Sequence, residues 1–225
     1  MGYGFMDCIC ARTKTTPFSL IFTGLQAISM KSILFRRGLQ KIVLSGHSLG
    51  TEKIVYYMNN GTYADNITSV VLLSPADSYG SHRMLDGKTN PRLTHVEELL
   101  KEAQRLIEQG RGDTFLPRDA YGSREGILPK SAASFVNFLG PQSKLLEALP
   151  FATKKLNAYA KMNVPILAVI GDQKEYTAIP IKDALTLMVL ENKNAEIHQI
   201  KDCDHDFQEK EKELANIVLS FIKAH

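Results

Sequence analysis

The 225-residue chain is poor in cysteine: Cys8, Cys10 and Cys203 are its only thiols. Three cysteines make no disulfide framework, their spacing matches no metal-ligand pattern, and Cys8 and Cys10 stand too close for a relaxed bridge. Free thiols are expected, in a reducing compartment, which points to the cytoplasm. No apolar run approaches the ~20 residues that a bilayer-spanning helix needs. Arg12 and Lys14 ahead of Phe18-Ser19-Leu20-Ile21-Phe22 sketch a signal peptide. Asp7 within the charged stretch and the lack of a small-residue cleavage site argue against one. An excess of one charge is also missing. The 27 basic and 24 acidic residues leave a net charge of +3, too small to argue for nucleic acid or an anionic membrane as partner. The sequence has no internal repeat or low-complexity segment, and no pattern in it implies a metal or an organic cofactor.

What is present is an ordinary globular composition, 44% hydrophobic and 23% charged, with length enough for one well-buried core. The chain is organised around the stretch from Lys41 to Gly50. Ile42-Val43-Leu44 reads as a buried strand that runs directly into Gly46-His47-Ser48-Leu49-Gly50. Ile54, Val55, Tyr57 and Met58 then form the apolar face of a helix. Strand, tight turn and helix are the context in which Gly-x-Ser-x-Gly carries chemistry. Gly46 and Gly50 are expected to let strand and helix approach closely. Ser48 is then raised at the carboxyl edge of the sheet, and the Leu49 N–H, at the helix's amino end, can donate to an oxyanion.

Leu20 to Phe22 fits a strand or the start of a helix, and the apolar residues between Gly24 and Arg37 fit a helix beside the elbow strand. Val70 to Leu73 is a second buried strand, so the pair reads as a right-handed βαβ unit with parallel strands. Val164 to Ile170 reads as a third strand, Ile181 to Leu190 as a helix, and Glu196 to Ile200 as a fourth strand nearer the edge. The last helix carries Leu214, Ile217, Val218, Phe221 and Ile222 on one face. Residues 78–162 differ in character. Val96, Leu99, Leu100, Ala103, Leu106 and Ile107 recur at helical spacing until Gly110. A turn-rich segment follows, and two helical patterns near 131–138 and 142–160 complete a stretch too long for a simple crossover.

Gly46-His47-Ser48-Leu49-Gly50 resembles the nucleophile elbow of the α/β-hydrolase superfamily, in its lipase- and esterase-like branch. The later order of an acid and then His205 fits that superfamily as well. The resemblance implies an α/β fold, a parallel sheet flanked by helices, with its core in residues 1–77 and 163–225 and a helical cap in 78–162. It implies a serine hydrolase that cleaves a small ester or related acyl substrate through an acyl-enzyme on Ser48.

A serine hydroxyl is a weak nucleophile and needs a base with an oriented partner. His205 lies in the loop after the fourth strand, where the family places its base. Of the six histidines only His47 and His205 sit in loops that follow strands. His47, beside the nucleophile, is expected to shape the pocket, and Asp204 and Asp206 to favour a proton on His205 if they lie close. The loop after the third strand reads Gly171-Asp172-Gln173-Lys174-Glu175-Tyr176. Related hydrolases usually carry an aspartate where Lys174 stands, and a lysine cannot accept the imidazole's N–H. Glu175 ranks first as a substitute because its longer side chain compensates for a one-residue displacement. Asp172 ranks second. Asp77, after the second strand, ranks third, since some family members place their acid there.

One further departure concerns the start of the chain. The family usually has several strands before the elbow and a His-Gly or Gly-rich loop that supplies a second oxyanion donor, and neither pair precedes Gly46. The early strands are therefore expected to be missing or reduced, and the exposed sheet edge to invite pairing with another copy. Two other readings stay open at this point: a shortened, catalytically weak relative that serves as a binding or scaffold protein, and an acyltransferase.

Overall fold

The computed structural model describes residues 20–22, 42–83, 91–116 and 130–225. The helix expected between Gly24 and Arg37, the charged start of the chain, and Cys8 and Cys10 lie outside the described residues.

Five strands form one sheet: β1 (Leu20–Phe22), β2 (Ile42–His47), β3 (Ser69–Leu73), β4 (Ile166–Ile170) and β5 (Ala195–Gln199). All neighbours are parallel, and the order across the sheet is the order along the chain. Leu20 to Phe22 is thus a strand, and it is the one described strand that precedes the elbow strand. The helices are α1 (Leu49–Asn60), α2 (Ser78–Arg83), α3 (Pro91–Glu108), α4 (Ala132–Leu139), α5 (Leu145–Ala148), α6 (Asn157–Ala160), α7 (Ile181–Glu191) and α8 (Glu211–Ala224). Among the described residues no helix is long and apolar enough to cross a membrane.

Alternation along each strand sends side chains to opposite faces. Ile42, Leu44, Val70, Leu72, Ile166 and Ala168 join a core with α1 and α7. Val43, Val71, Leu167 and Val169 pack with Val218 and Phe221 of α8. Burial on both faces is why β2, β3 and β4 read as unbroken apolar runs rather than as alternating ones.

The segment 78–162 divides. Tyr79, Leu99, Ala103, Leu106, Phe135 and Leu139 build a separate cluster from α2, α3 and α4. Leu149, Phe151, Leu156 and Tyr159 are instead completely buried in the core that lies against the sheet. The last part of the segment, as far as Met162, thus packs with the sheet. The helical pattern near 142–160 is also not one helix. It is α5, a 3₁₀ turn at Phe151–Thr153 and α6. Pro150 brings no N–H, and Lys154 takes a left-handed backbone at φ 57°, so the helix cannot run through.

Candidate active site

Ser48 sits between the end of β2 and the start of α1 with φ 55° and ψ −124°, a strained conformation for a residue with a side chain. The surroundings hold it there. Its N–H donates to the Leu73 carbonyl of β3 at 2.9 Å. The Thr51 hydroxyl donates to the Ser48 carbonyl at 2.6 Å and accepts the Ala76 N–H at 3.3 Å, which ties the bend to the loop after β3. A Cβ on Gly46 would lie 2.6 Å from the Gly50 carbonyl oxygen, so any side chain there forces strand and helix apart. Gly50 differs from the expectation: a Cβ there meets nothing within 4 Å, and the close approach depends on Gly46 alone. Leu49 is the first residue of α1, so its N–H has no partner within the helix and stays available beside the Ser48 hydroxyl.

The remaining candidates come from loops at the carboxyl ends of β3, β4 and β5, the rim where an open parallel sheet collects its chemistry. The Glu175 carboxylate is buried, with 0% of its side chain exposed against 12% for His205, and its Oε2 lies 2.7 Å from His205 Nδ1. Its Oε1 accepts the Gly171 N–H at 2.9 Å and the Ser74 hydroxyl at 3.1 Å. The same Ser74 hydroxyl lies 2.9 Å from the His205 carbonyl. A Cβ on Gly171 would collide with the Cys203 carbonyl, so glycine is what lets the acid loop touch the base loop.

Asp172 and Asp77 are engaged elsewhere. The Asp172 carboxylate accepts the N–H groups of Cys203 and Asp202, both at 3.1 Å, and these bonds hold its pKa below the ordinary range. It staples the two loops and does not reach the ring. Asp77 accepts the N–H of Gly80 at 2.6 Å and of Ala152 at 2.9 Å, and burial raises its pKa. Of the three candidate acids only Glu175 contacts the imidazole. Asp204 Oδ1 accepts the N–H groups of Asp206 and Gln208 in a local turn.

His47 Nε2 lies 2.8 Å from the His205 carbonyl. A carbonyl only accepts, so Nε2 carries the proton, and His47 clamps the backbone of the base loop. The Tyr176 ring stands edge-on to His205 with centroids 4.6 Å apart. Neither the Ser48 hydroxyl nor His205 Nε2 makes a hydrogen bond among the described residues. Ser74 escaped the reading of the sequence. Its one signal there was its place immediately after a buried strand, the same kind of place as Ser48.

Glu52 escaped it too. It lies one helical turn beyond Ser48, on the inward side of α1, and is completely buried. Its Oε1 accepts the Ser78 N–H at 3.0 Å and its Oε2 pairs with the Ser78 hydroxyl. Burial pushes its pKa to about 8. Burial therefore favours a protonated carboxyl at neutral pH, while the Ser78 N–H and hydroxyl donate to its oxygens. The folded protein holds this proton between pH 4.5 and about 8 while the unfolded chain has lost it, so stability falls as pH rises through that window. Glu52→Gln should remove that slope and raise the melting temperature at the alkaline end, as read by thermal denaturation across the window.

Among the described residues no group of three or more His, Cys, Asp or Glu side chains is placed to hold a metal ion. The parallel sheet, the strained serine between strand and helix, and the late histidine loop define the α/β-hydrolase fold. No curated protein matches the chain in sequence. The chain belongs to the family described as "Protein of unknown function (DUF1749)", which it matches over residues 28–223.

Solved structures share the fold. A highly thermostable carboxyl esterase from Bacillus coagulans, in complex with glycerol, is 14% identical; the match covers 88% of this chain and 69% of that one, with a TM-score of 0.55. Est1E from Butyrivibrio proteoclasticus, with ferulic acid bound, is 14% identical over 87% of this chain and 66% of its own, with a TM-score of 0.53. A soluble variant of monoglyceride lipase from Saccharomyces cerevisiae, in complex with a substrate analog, is 13% identical over 88% and 66%, with a TM-score of 0.53. The match takes in 66% of the length of each of these last two proteins, slightly under two thirds.

Proposed function

We propose that this protein is a serine hydrolase that cleaves an ester or related acyl bond through an acyl-enzyme on Ser48. The observation that carries the reading is the buried Glu175 carboxylate bonded to His205 Nδ1 at 2.7 Å, on the same sheet rim as the strained Ser48. A carboxylate only accepts, so Glu175 keeps a proton on Nδ1 and leaves the Nε2 lone pair to take the Ser48 proton. Ser48 Oγ then adds to the substrate carbonyl, and the Leu49 N–H stabilises the oxyanion. Collapse of this intermediate expels the alcohol, which takes its proton from His205. Water, deprotonated by His205, attacks the acyl-enzyme and releases the carboxylic acid and the Ser48 hydroxyl. Ser74 and His47 hold the His205 backbone throughout.

The lobe of α2, α3 and α4 acts in this reading as the cap over the acyl group. It is anchored at the site: the Ser81 hydroxyl and the Asp77 N–H both donate to the Tyr176 carbonyl, at 2.9 and 2.8 Å, and the Tyr176 ring leans on His205. The esterases and the lipase of the same fold support an ester as the substrate class.

A fluorophosphonate probe tests the reading on the full chain. Labelling is expected on the parent protein and is expected to vanish in Ser48→Ala. Undiminished labelling of Ser48→Ala would end the proposal. A binding protein without turnover is the competing reading, favoured by the missing hydrogen bond between Ser48 and His205. Catalytic hydrogen bonds often tighten only around substrate, and turnover of p-nitrophenyl butyrate that depends on Ser48 excludes that alternative.

A further inference from the structure

The edge of the sheet far from β1 is formed by β5. We propose that two copies of this chain join there, β5 to β5, antiparallel about a two-fold axis through Ile197. This proposal stands apart from the hydrolase reading, since the surface it uses contains neither Ser48 nor His205.

The backbone sets the phase. The Ile166 N–H donates to the Asn194 carbonyl at 3.0 Å and the Ile200 N–H to the Ile170 carbonyl at 2.9 Å, so the even-numbered positions of β5 face β4. By alternation, Ala195, Ile197 and Gln199 turn their peptide groups toward the edge that no strand among the described residues pairs with. An antiparallel partner centred on Ile197 meets these groups in register. Ile197 exchanges both of its bonds with the partner's Ile197. The Gln199 N–H donates to the carbonyl of the partner's Ala195, and by symmetry the partner's Gln199 N–H donates to the Ala195 carbonyl. The Ala195 N–H is already used in a turn to Asn192 at 3.3 Å, so it adds nothing.

The side chains fit the same axis. On one face Glu196 and His198, with their side chains 54% and 39% exposed, pair within the strand at 2.6 Å. A two-fold at Ile197 sets each Glu196 directly opposite the partner's His198, in the closely spaced, non-hydrogen-bonded positions of the ladder. The strand is therefore complementary to itself in this register, a carboxylate acceptor facing a ring that can donate an N–H, as an isologous contact requires. On the other face Ile197 lies beside Leu185, Val189 and Leu190 of α7 in an open groove of about 430 Å³, bounded by Lys182 and Gln199. Val189 and Leu190 are 55% and 74% exposed. The two-fold brings the two α7 helices alongside the axis and covers both side chains. No proline or glycine interrupts Ala195–Gln199 to protect this edge from pairing.

Sedimentation velocity on the full chain tests the proposal. The parent protein is expected to dimerise. Glu196→Lys sets a cation opposite His198 and removes the ring's acceptor, and His198→Glu places like charges opposite one another, each twice per interface; each should weaken the dimer by about tenfold. Mixing these two variants should restore dimerisation as heterodimers, because the new lysine then faces the new glutamate and the remaining Glu196 faces the remaining His198. No change within one chain can produce that rescue. Leu190→Glu should also favour the monomer while circular dichroism and Ser48-dependent turnover stay at the parent's level. A parent protein that is monomeric up to millimolar concentration overturns the proposal. So does a dimer indifferent to these substitutions, or a mixture that fails to recover.

Discussion

His205→Ala should lower kcat toward p-nitrophenyl butyrate by about 10⁵- to 10⁶-fold and leave KM nearly unchanged. In the proposed mechanism the imidazole takes the proton from Ser48 Oγ as it attacks and returns one to the departing alkoxide, and this substitution removes both transfers. The substitution isolates the ring. The bonds that position the loop, from Ser74 at 2.9 Å and His47 at 2.8 Å, end on the His205 backbone carbonyl and survive the change. Members of a catalytic unit fail together, so adding Ser48→Ala to His205→Ala should cost little more. Steady-state kinetics on the single and double variants reads this directly. A loss of less than tenfold in His205→Ala would remove His205 from the mechanism.

Glu175→Gln should lower kcat by about 10⁴-fold, far more than the loss of one charge on a surface would cause. The reason lies in the donors around the carboxylate. Gly171 N–H points at Oε1, at 2.9 Å, and only an oxygen can accept it. The amide of a glutamine must therefore put its oxygen there and its NH₂ group against His205 Nδ1, 2.7 Å from Oε2 in the parent. An NH₂ group donates, so the ring takes the opposite tautomer, with its proton on Nε2 and no lone pair there to act as base. Structure and stability should change little, because the bond from the Gly171 N–H persists and the NH₂ group still bonds the ring. The check is kcat together with the ring tautomer by ¹⁵N NMR. Near-parental kcat in Glu175→Gln would return the role of the acid to another carboxylate.

The fold was largely legible in the sequence, and the reason is local. Strands buried on both faces need apolar residues at every position, so Ile42 to Leu44 and Val70 to Leu73 stand out without any tertiary knowledge. A strand-to-helix bend as tight as the elbow needs a residue without a side chain at Gly46, and that pattern spans five positions. The pattern overstated Gly50, because a motif cannot say which of its glycines meets a neighbour. The helical spacing near 142–160 misled for a similar reason. Leu149, Phe151, Leu156 and Tyr159 are apolar because they fill a core, and they do so from short turns separated by Pro150 and Lys154.

Within the site, side-chain length was the legible part. Lys174 cannot act as the acid, and a glutamate one position on can reach farther than an aspartate. Chemistry alone could not go beyond that ranking. Asp172 and Glu175 share one loop, and either could accept an imidazole N–H. Their fates diverge because the backbone of Asp202 and Cys203 arrives beside Asp172, while the His205 ring arrives beside Glu175. Glu52, Ser74 and the clamp from His47 depend on contacts with residues distant in the chain, and no periodicity or motif announces such contacts.

Composition, periodicity and the glycine-flanked serine by themselves determined that this chain is an α/β protein with a parallel sheet and a serine elbow, because each of those features follows from forces acting within a few residues. Which carboxylate meets the imidazole, which glycine bears the close approach, and which strands end the sheet among the described residues were decided by the tertiary structure alone. Those are questions of where separate loops and strands come to rest against one another, and hydrogen-bond donors brought from elsewhere in the chain settle them.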